Sequence, residues 1–343
     1  MKSTIRIILA IFAALCLLAA FYFYQKIFGS GVPGDLENYY VEIPTGSSFE
    51  DVIGILQEQN IVQDEQIFRE LAEQMNYKRD PMRSGRYEIQ PGWSNVQLIR
   101  HLRNGPQAPV DLVLTNERLI EDVAGKAGSF IEPDSIAMLT LLRDEAYIRS
   151  LGYTPETLMS LFIPNTYEFF WNSTPRQFAQ RMVKEHEAFW DKNNRRAKAE
   201  RLNMTPEQVY TLASIVEKET NQNTEKPRIA GVYLNRLDMG MRLQADPTVV
   251  FATRQFDLKR VLNRHLEIDS PYNTYKYAGL PPGPITMASI ASIDAVLNAE
   301  DHDYIFFCAK GDGSGYHAFA ETLAGHNQNV ARYVRNLRER GLR

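Results

Sequence analysis

Two carboxylates, Glu217 and Glu219, close the stretch TPEQVYTLASIVEKET that runs from Thr205 to Thr220. A carboxylic acid becomes a proton donor when apolar surroundings raise its pKa, because it then stays protonated near neutrality. This stretch offers such surroundings. Thr205, Pro206 and Gln208 make a helix start: a hydroxyl N-cap, proline at the first helical position and an amide three residues after the cap. Val209, Leu212, Ala213 and Val216 then recur at helical spacing, widened by Tyr210 and Ile215. Lys218 points away from that stripe, whereas Glu217 and Glu219 fall just inside its opposite margins. Glutamate is rarely buried unpaired, so each is expected either to meet an arginine at a domain seam or to serve as a catalytic acid.

The spacing restricts the chemistry. Side chains at i and i+2 diverge by roughly 200° around a helix, so these two cannot flank one glycosidic bond as an acid and nucleophile about 5 Å apart. A helix of this kind supplies one carboxyl group to glycoside chemistry, and any second group comes from elsewhere.

Most other enzyme classes fail. There is no His-Glu-x-x-His, and the six histidines lack close metal-ligand spacing, so neither a metal site nor a cofactor is expected. Gly311 to Gly315 lacks the P-loop lysine and reads as a hairpin turn, and no Gly-x-Ser-x-Gly elbow is present. What remains is a set of loops that mix aromatic rings with amides and acids: Asn165/Tyr167, Gln244/Asp246 and Tyr272/Asn273/Tyr275. Carbohydrate sites need that mixture, with flat rings for sugar faces and planar polar groups for hydroxyls. Each loop alone reads equally well as a structural turn.

The elements that position these groups belong to an α+β chain. Its 343 residues allow two or three domains, and 44% hydrophobic with 23% charged residues is ordinary for a globular protein. A net charge of −4 gives no reason to expect nucleic acid. Ile7 to Tyr24 is an uncharged apolar run of 18 residues, about 27 Å as a helix and enough for a bilayer core. Lys2 and Arg6 precede it. Only Lys26 follows before Asp35 and Glu37, so residues 1–6 are expected in the cytoplasm and everything after about Phe28 outside. A cleaved signal peptide competes with this anchor, but Phe21 to Tyr24 extend the run as an interfacial aromatic belt. Residues 25–38 form a linker. The two cysteines, Cys16 in the apolar run and Cys308 directly after the run from Tyr304 to Phe307 that reads as a buried strand, leave no intrachain disulfide to expect.

Residues 39–108 read as strand, two helices and strand: Tyr40 to Pro44, a helix capped by Ser47/Ser48, a helix from Asp64 to Asn76, and Tyr87 to Ile89. That order resembles the LysM carbohydrate-binding module. Residues 109–343 form the larger domain. It opens with a strand at Val110 to Leu114, followed by helices near Glu117 to Lys126, Ser135 to Leu142 and Pro155 to Leu161. Phe162 to Trp171 reads as an aromatic loop. A charged helix spans Pro175 to Arg201, with Arg195, Arg196 and Lys198 on a solvated face. Helices near Arg228 to Asp238 and Ala288 to Leu297, the Cys308 strand and a terminal helix from Leu323 complete the chain.

Several long segments now carry a family resemblance. Ser214 to Glu219, Leu243 to Val249, Pro271 to Tyr275, Gly279 to Ile285 and His326-Asn327 resemble the bacterial endolytic murein transglycosylases, the YceG-like family. Asn165, Ala245 and Thr286-Met287-Ala288 depart from the family pattern. The resemblance implies cleavage within the glycan strands of peptidoglycan, between N-acetylmuramic acid and N-acetylglucosamine. Glu217 would protonate the leaving oxygen and then, as a carboxylate, take the proton of the muramic acid 6-hydroxyl as a 1,6-anhydro ring closes. Glu219 would position substrate or pair structurally, although helix geometry alone does not choose between the two. Gln244, Asp246, Tyr272, Asn273, Tyr275 and His317 would line the groove with Asn165 and Tyr167. The enzyme would sit in the inner membrane beside peptidoglycan synthases. A muramidase that uses Asp246 to activate water, and a non-catalytic glycan-binding scaffold, are the competing readings.

Overall fold

The computed structural model describes every residue except Met1, Glu37, Lys259 and Arg343, and the side chains of Lys2, Ser3, Thr4 and Lys26 also lie outside the described set. The flanking charges expected at Lys2, Lys26 and Glu37 therefore fall outside the described residues. The chain is mixed α and β, and it divides into two compact units.

The first unit is essentially Met1–Asp111, joined by the short segments Phe130–Pro133 and Glu168–Thr174. It begins with α1 (Lys2–Phe28), in which Ile5–Gln25 is long and apolar enough to cross a membrane, at a mean hydropathy of 2.6. By composition such a helix is a membrane anchor or a signal sequence. Next come β1 (Tyr40–Ile43), α2 (Phe49–Glu58), α3 (Glu65–Gln74), β2 (Gly85–Glu88) and α4 (Asn95–Asn104). Ser48 and Ser94 cap α2 and α4 through reciprocal bonds with Asp51 and Gln97, as capping boxes do. β1 and β2 are antiparallel, with Val41 opposite Tyr87. Val41, Ile43, Leu56, Phe68, Tyr87 and Leu98 meet in one core.

The second unit holds Leu112–Ser129, Asp134–Tyr167 and Pro175–Arg343. β3 (Pro109–Leu114) is followed by α5 (Ile120–Gly128), α6 (Ser135–Leu142) and α7 (Glu145–Ser150). The helix expected at Pro155 to Leu161 is only a 3-10 turn over Leu158–Leu161. Thr154 and Thr157 exchange side-chain and backbone hydrogen bonds and so offer the backbone an alternative to the helix. The aromatic segment expected as a loop contains β4 (Asn165–Phe170), which pairs with β3 and buries Tyr167 and Phe169 on alternate positions. The long charged helix is two helices, α8 (Pro175–Asp191) and α9 (Arg195–Arg201). Asn193 and Asn194 break it with φ of 59° and 55°, a left-handed conformation that asparagine tolerates. Arg195 is not on a solvated face. It is 5% exposed, lies over the Phe189 ring and donates two bonds of 2.8 and 3.0 Å to Asp294.

α10 (Pro206–Glu219) is the central helix, and every residue from Val209 to Val216 is buried. It packs on α11 (Lys226–Asp238), α12 (Asp246–Thr253) and α14 (Ile290–Leu297), with the short α13 (Asn263–Leu266) beside α12. A hairpin of β5 (Phe306–Ala309) and β6 (His317–Ala320), turned by Gly311 to Gly315, leads to α15 (Leu323–Glu339). Cys308, expected in a buried strand, lies in a partly exposed one, because this hairpin is two-stranded and covered incompletely. Both described cysteines are free thiols.

Candidate active site

The local sequence of α10 fixes where its carboxylates go. Thr205 accepts from the Gln208 amide and Gln208 returns the bond, which holds the helix start. Thirteen residues on, the helix stops at Glu219, with Thr220 already extended. Both glutamates therefore sit in the last turn, at the negative end of the helix dipole, where a neutral carboxyl is favoured over an anion. Their neighbours then separate them.

Glu217 faces the seam with α11 and α14. Its Oε2 accepts from Lys226 Nζ at 3.0 Å, from Ser292 Oγ at 2.5 Å and from Ser289 Oγ. Lys226 opens α11 and is 4% exposed, and Ser289 caps α14. Burial raises the pKa of Glu217, but the two hydroxyls and the ammonium outweigh it and hold the carboxyl below its ordinary range. The raised pKa expected at Glu217 is thus not found there. Its side chain ties the ends of α10, α11 and α14 together, and its partner is a lysine, not an arginine.

Glu219 holds its proton to higher pH than Glu217. Burial pushes its pKa up to about 7, opposed by a 2.6 Å hydrogen bond from the Tyr233 hydroxyl and reinforced by the charge of Asp246. No cation neutralises it by direct contact among the described residues. It borders a cavity of about 300 Å³ together with Asp246, Lys218, Arg118, Phe251 and Ile285. Glu217 does not line that cavity.

The remaining expected residues divide. Asp246 opens α12 beside Glu219 and accepts a 2.6 Å bond from the Tyr275 hydroxyl, so Tyr275 holds it in place. Tyr272 lies on Phe251, ring centroids 4.7 Å apart, and borders an adjoining cavity. Gln244 is exposed at φ 52° and meets Arg236 at 3.5 Å without lining the cavity. Asn273 is fully buried, its amide spent on the carbonyls of Leu266 and Ile268 and the backbone of Tyr275, so it shapes the loop and has no group left for substrate. Tyr167 is also buried and bonds Ile163, and Asn165 accepts from the backbone amide of Thr166; neither lines the cavity. His317 bonds the buried Glu225 at 2.7 Å and stands edge-on to Phe307, which meets Tyr233 in turn.

Tyr233, Arg118, Lys218 and Phe256 were not anticipated as site residues. A tyrosine inside the apolar run of α11 is a usable signal, since a buried hydroxyl needs a partner. The loop Gly279 to Ile285 reaches the cavity through Ile285. Gly283 runs so close to the Glu156 carbonyl that a Cβ there would lie 1.9 Å from it. Ile285 donates to Ser214 Oγ at 3.0 Å, which seats the loop on α10.

Fold and site together define an α+β protein that presents a carboxyl of raised pKa, Glu219, in a partly polar cavity at a helix end. The chain belongs to the YceG-like family, whose model matches residues 41–332. It is 29% identical to the endolytic murein transglycosylase of Bacillus subtilis strain 168, over 88% of this chain and 86% of that protein. It is 29% identical to the endolytic murein transglycosylase of Streptococcus pneumoniae, covering 94% of this chain but only 64% of that longer protein. A crystal structure of a YceG-like protein from Listeria monocytogenes is similar at 30% identity and a TM-score of 0.57, covering 84% of this chain and 97% of that one.

Proposed function

We propose that this protein is an endolytic lytic transglycosylase of peptidoglycan, with Glu219 as its acid. The observation that carries the reading is that the Glu219 carboxyl, its pKa raised by burial, borders a cavity while no cation touches it directly among the described residues. Glu219 donates its proton to the glycosidic oxygen leaving N-acetylmuramic acid. As a carboxylate it then removes the proton of the muramic acid 6-hydroxyl, whose oxygen closes on C1 to give a 1,6-anhydro end. The internal nucleophile makes a second enzymic carboxylate unnecessary, in keeping with a helix that offers one. Asp246 keeps the Glu219 proton in place by charge, and Glu217 holds the helix end. The names of the relatives support the substrate.

The apolar α1 supports a single-pass anchor in the cytoplasmic membrane with the rest outside, positioned to act on new strands near their synthases. The strand–helix–helix–strand order of β1, α2, α3 and β2 supports a LysM-like module that holds glycan. The test is a digest of purified glycan strands by the full-length protein in detergent, with mass spectrometry of the products. Anhydro ends, lighter by one water than reducing ends, are expected from the unaltered protein and not from Glu219→Gln. Reducing ends would identify a hydrolase, and strand binding without cleavage a scaffold.

A further inference from the structure

Beside the acid three cations, Arg118, Lys218 and Arg260, border the cavity, and among the described residues none of them forms an ion pair. Arg118 and Lys218 line the cavity that holds Glu219 and also a broader cleft of about 740 Å³ that shares their side chains and Phe256. Arg118 borders a third cavity, of about 370 Å³, with Tyr272. Among the described residues every acid around these hollows except Glu156 has a hydrogen-bond or ion-pair partner. Glu121 pairs with Arg143 at 2.5 Å, and Asp122 accepts from the amides of Arg118 and Leu119. Glu117 accepts from the Thr115 amide, Asp246 from Tyr275 and Glu219 from Tyr233. Arg118 lies over the Phe256 ring at 4.5 Å, a cation–π contact, and among the described residues its guanidinium makes no ion pair. Burial and the charge of Arg118 hold the Lys218 ammonium below its usual range, so the two cations repel each other. An incoming anion relieves that repulsion.

We propose that Arg118 and Lys218 form a carboxylate-binding subsite that grips an acidic group on the sugar residue next to the bond being cut. The guanidinium supplies a planar fork and the ammonium a point charge, the two modes in which proteins hold carboxylates. On a peptidoglycan strand the carboxylate comes from the lactyl ether of muramic acid or from the peptide stem attached to it. The proposal rests on the glycan-cleaving reading and names the group that such a site selects.

The test uses full-length protein in detergent carrying Glu219→Gln, so that binding is measured without turnover. Three substrates are compared: peptide-free strands, the same strands with their carboxylates converted to methylamides, and strands bearing intact stems. Unaltered Arg118 and Lys218 should bind carboxylate strands about ten- to a hundredfold more tightly than amidated ones, as for a charged hydrogen-bonded pair. Arg118→Gln should remove most of that preference, and Arg118→Lys should keep part of it. A preference present with peptide-free strands assigns the lactyl carboxylate, and one confined to stem-bearing strands assigns the stem. Equal binding of free and amidated strands overturns the subsite and needs no variant at Arg118. Carboxylate-dependent binding by a protein whose unaltered form cuts no strand would uphold the subsite while overturning the catalytic reading.

Discussion

The two glutamates that close α10 meet opposite surroundings. At Glu217 the chain surrounds a carboxylate with two hydroxyls and a buried ammonium, and the acid ionises below its ordinary pKa. At Glu219, two residues on, it supplies a single tyrosine hydroxyl and a nearby negative charge, and the acid keeps its proton up to about 7. Sequence spacing, helix dipole and residue type are the same for both. What differs is the far side of each contact: the amino ends of α11 and α14 for one, an open hollow for the other. The lesson is that acid strength here is set by partners brought in from elsewhere in the chain. A glutamate wrapped in donors ties helices together, and the proposed reagent is the one left facing a cavity.

The largest effect that would break this contrast is on catalysis. Glu219→Gln should cut the rate of strand cleavage by at least about 10²–10⁴-fold, the usual contribution of general acid–base catalysis. The same change should not weaken the fold, since it removes a carboxyl that burial disfavours. Glu217→Gln should do the reverse in kind. It leaves Lys226 buried with an uncompensated charge, and losing one partner of a buried pair costs about 3–5 kcal/mol. Denaturant unfolding measures that loss, and Lys226→Met in the Glu217→Gln background should restore much of it. If Glu217→Gln folds normally while Glu219→Gln still cuts strands, the assignment of tasks is reversed.

Much of the scaffold was legible in the chain. The Thr205–Gln208 cap, the strand–helix–helix–strand order of the first unit and the glycine hairpin before His317 all follow from local pattern, because caps and turns are satisfied by residues close in sequence. The burial of Arg195 was not legible, since its partner Asp294 lies 99 residues away. The same limit applied at the site. Glu217 and Glu219 could be named from the helix, but Lys226, Ser289 and Ser292 on one side and Tyr233 on the other come from separate elements. Asn273 shows the converse, a loop amide of the kind that binds sugars consumed entirely by its own loop.

Smaller effects sharpen the contrast through pH. A folded-state pKa of about 7 against an ordinary 4.5 means that the native protein binds more protons than the unfolded chain between those values. Stability should therefore fall as pH rises through that window, by no more than about 3 kcal/mol at 1.36 kcal/mol per pKa unit. Glu219→Gln should flatten the fall, as read from thermal melts at pH 5 and pH 8. Glu217 has the opposite sign, since its lowered pKa gives stability that is present above the unfolded value and lost on acidification.

Tyr233→Phe is the finest probe of this balance. Among the described residues the Tyr233 hydroxyl is the one group that bonds the Glu219 carboxyl directly, and its donated bond favours the anion. Without it the Glu219 pKa should climb above 7, and the high-pH limb of kcat/KM, which reports loss of the acid's proton in the free enzyme, should move the same way. The fold should lose only about 1 kcal/mol, the net worth of one hydrogen bond. A limb that moves down would mean that the hydroxyl supports the proton instead, and a limb that stays put would mean that the titrating acid is another group.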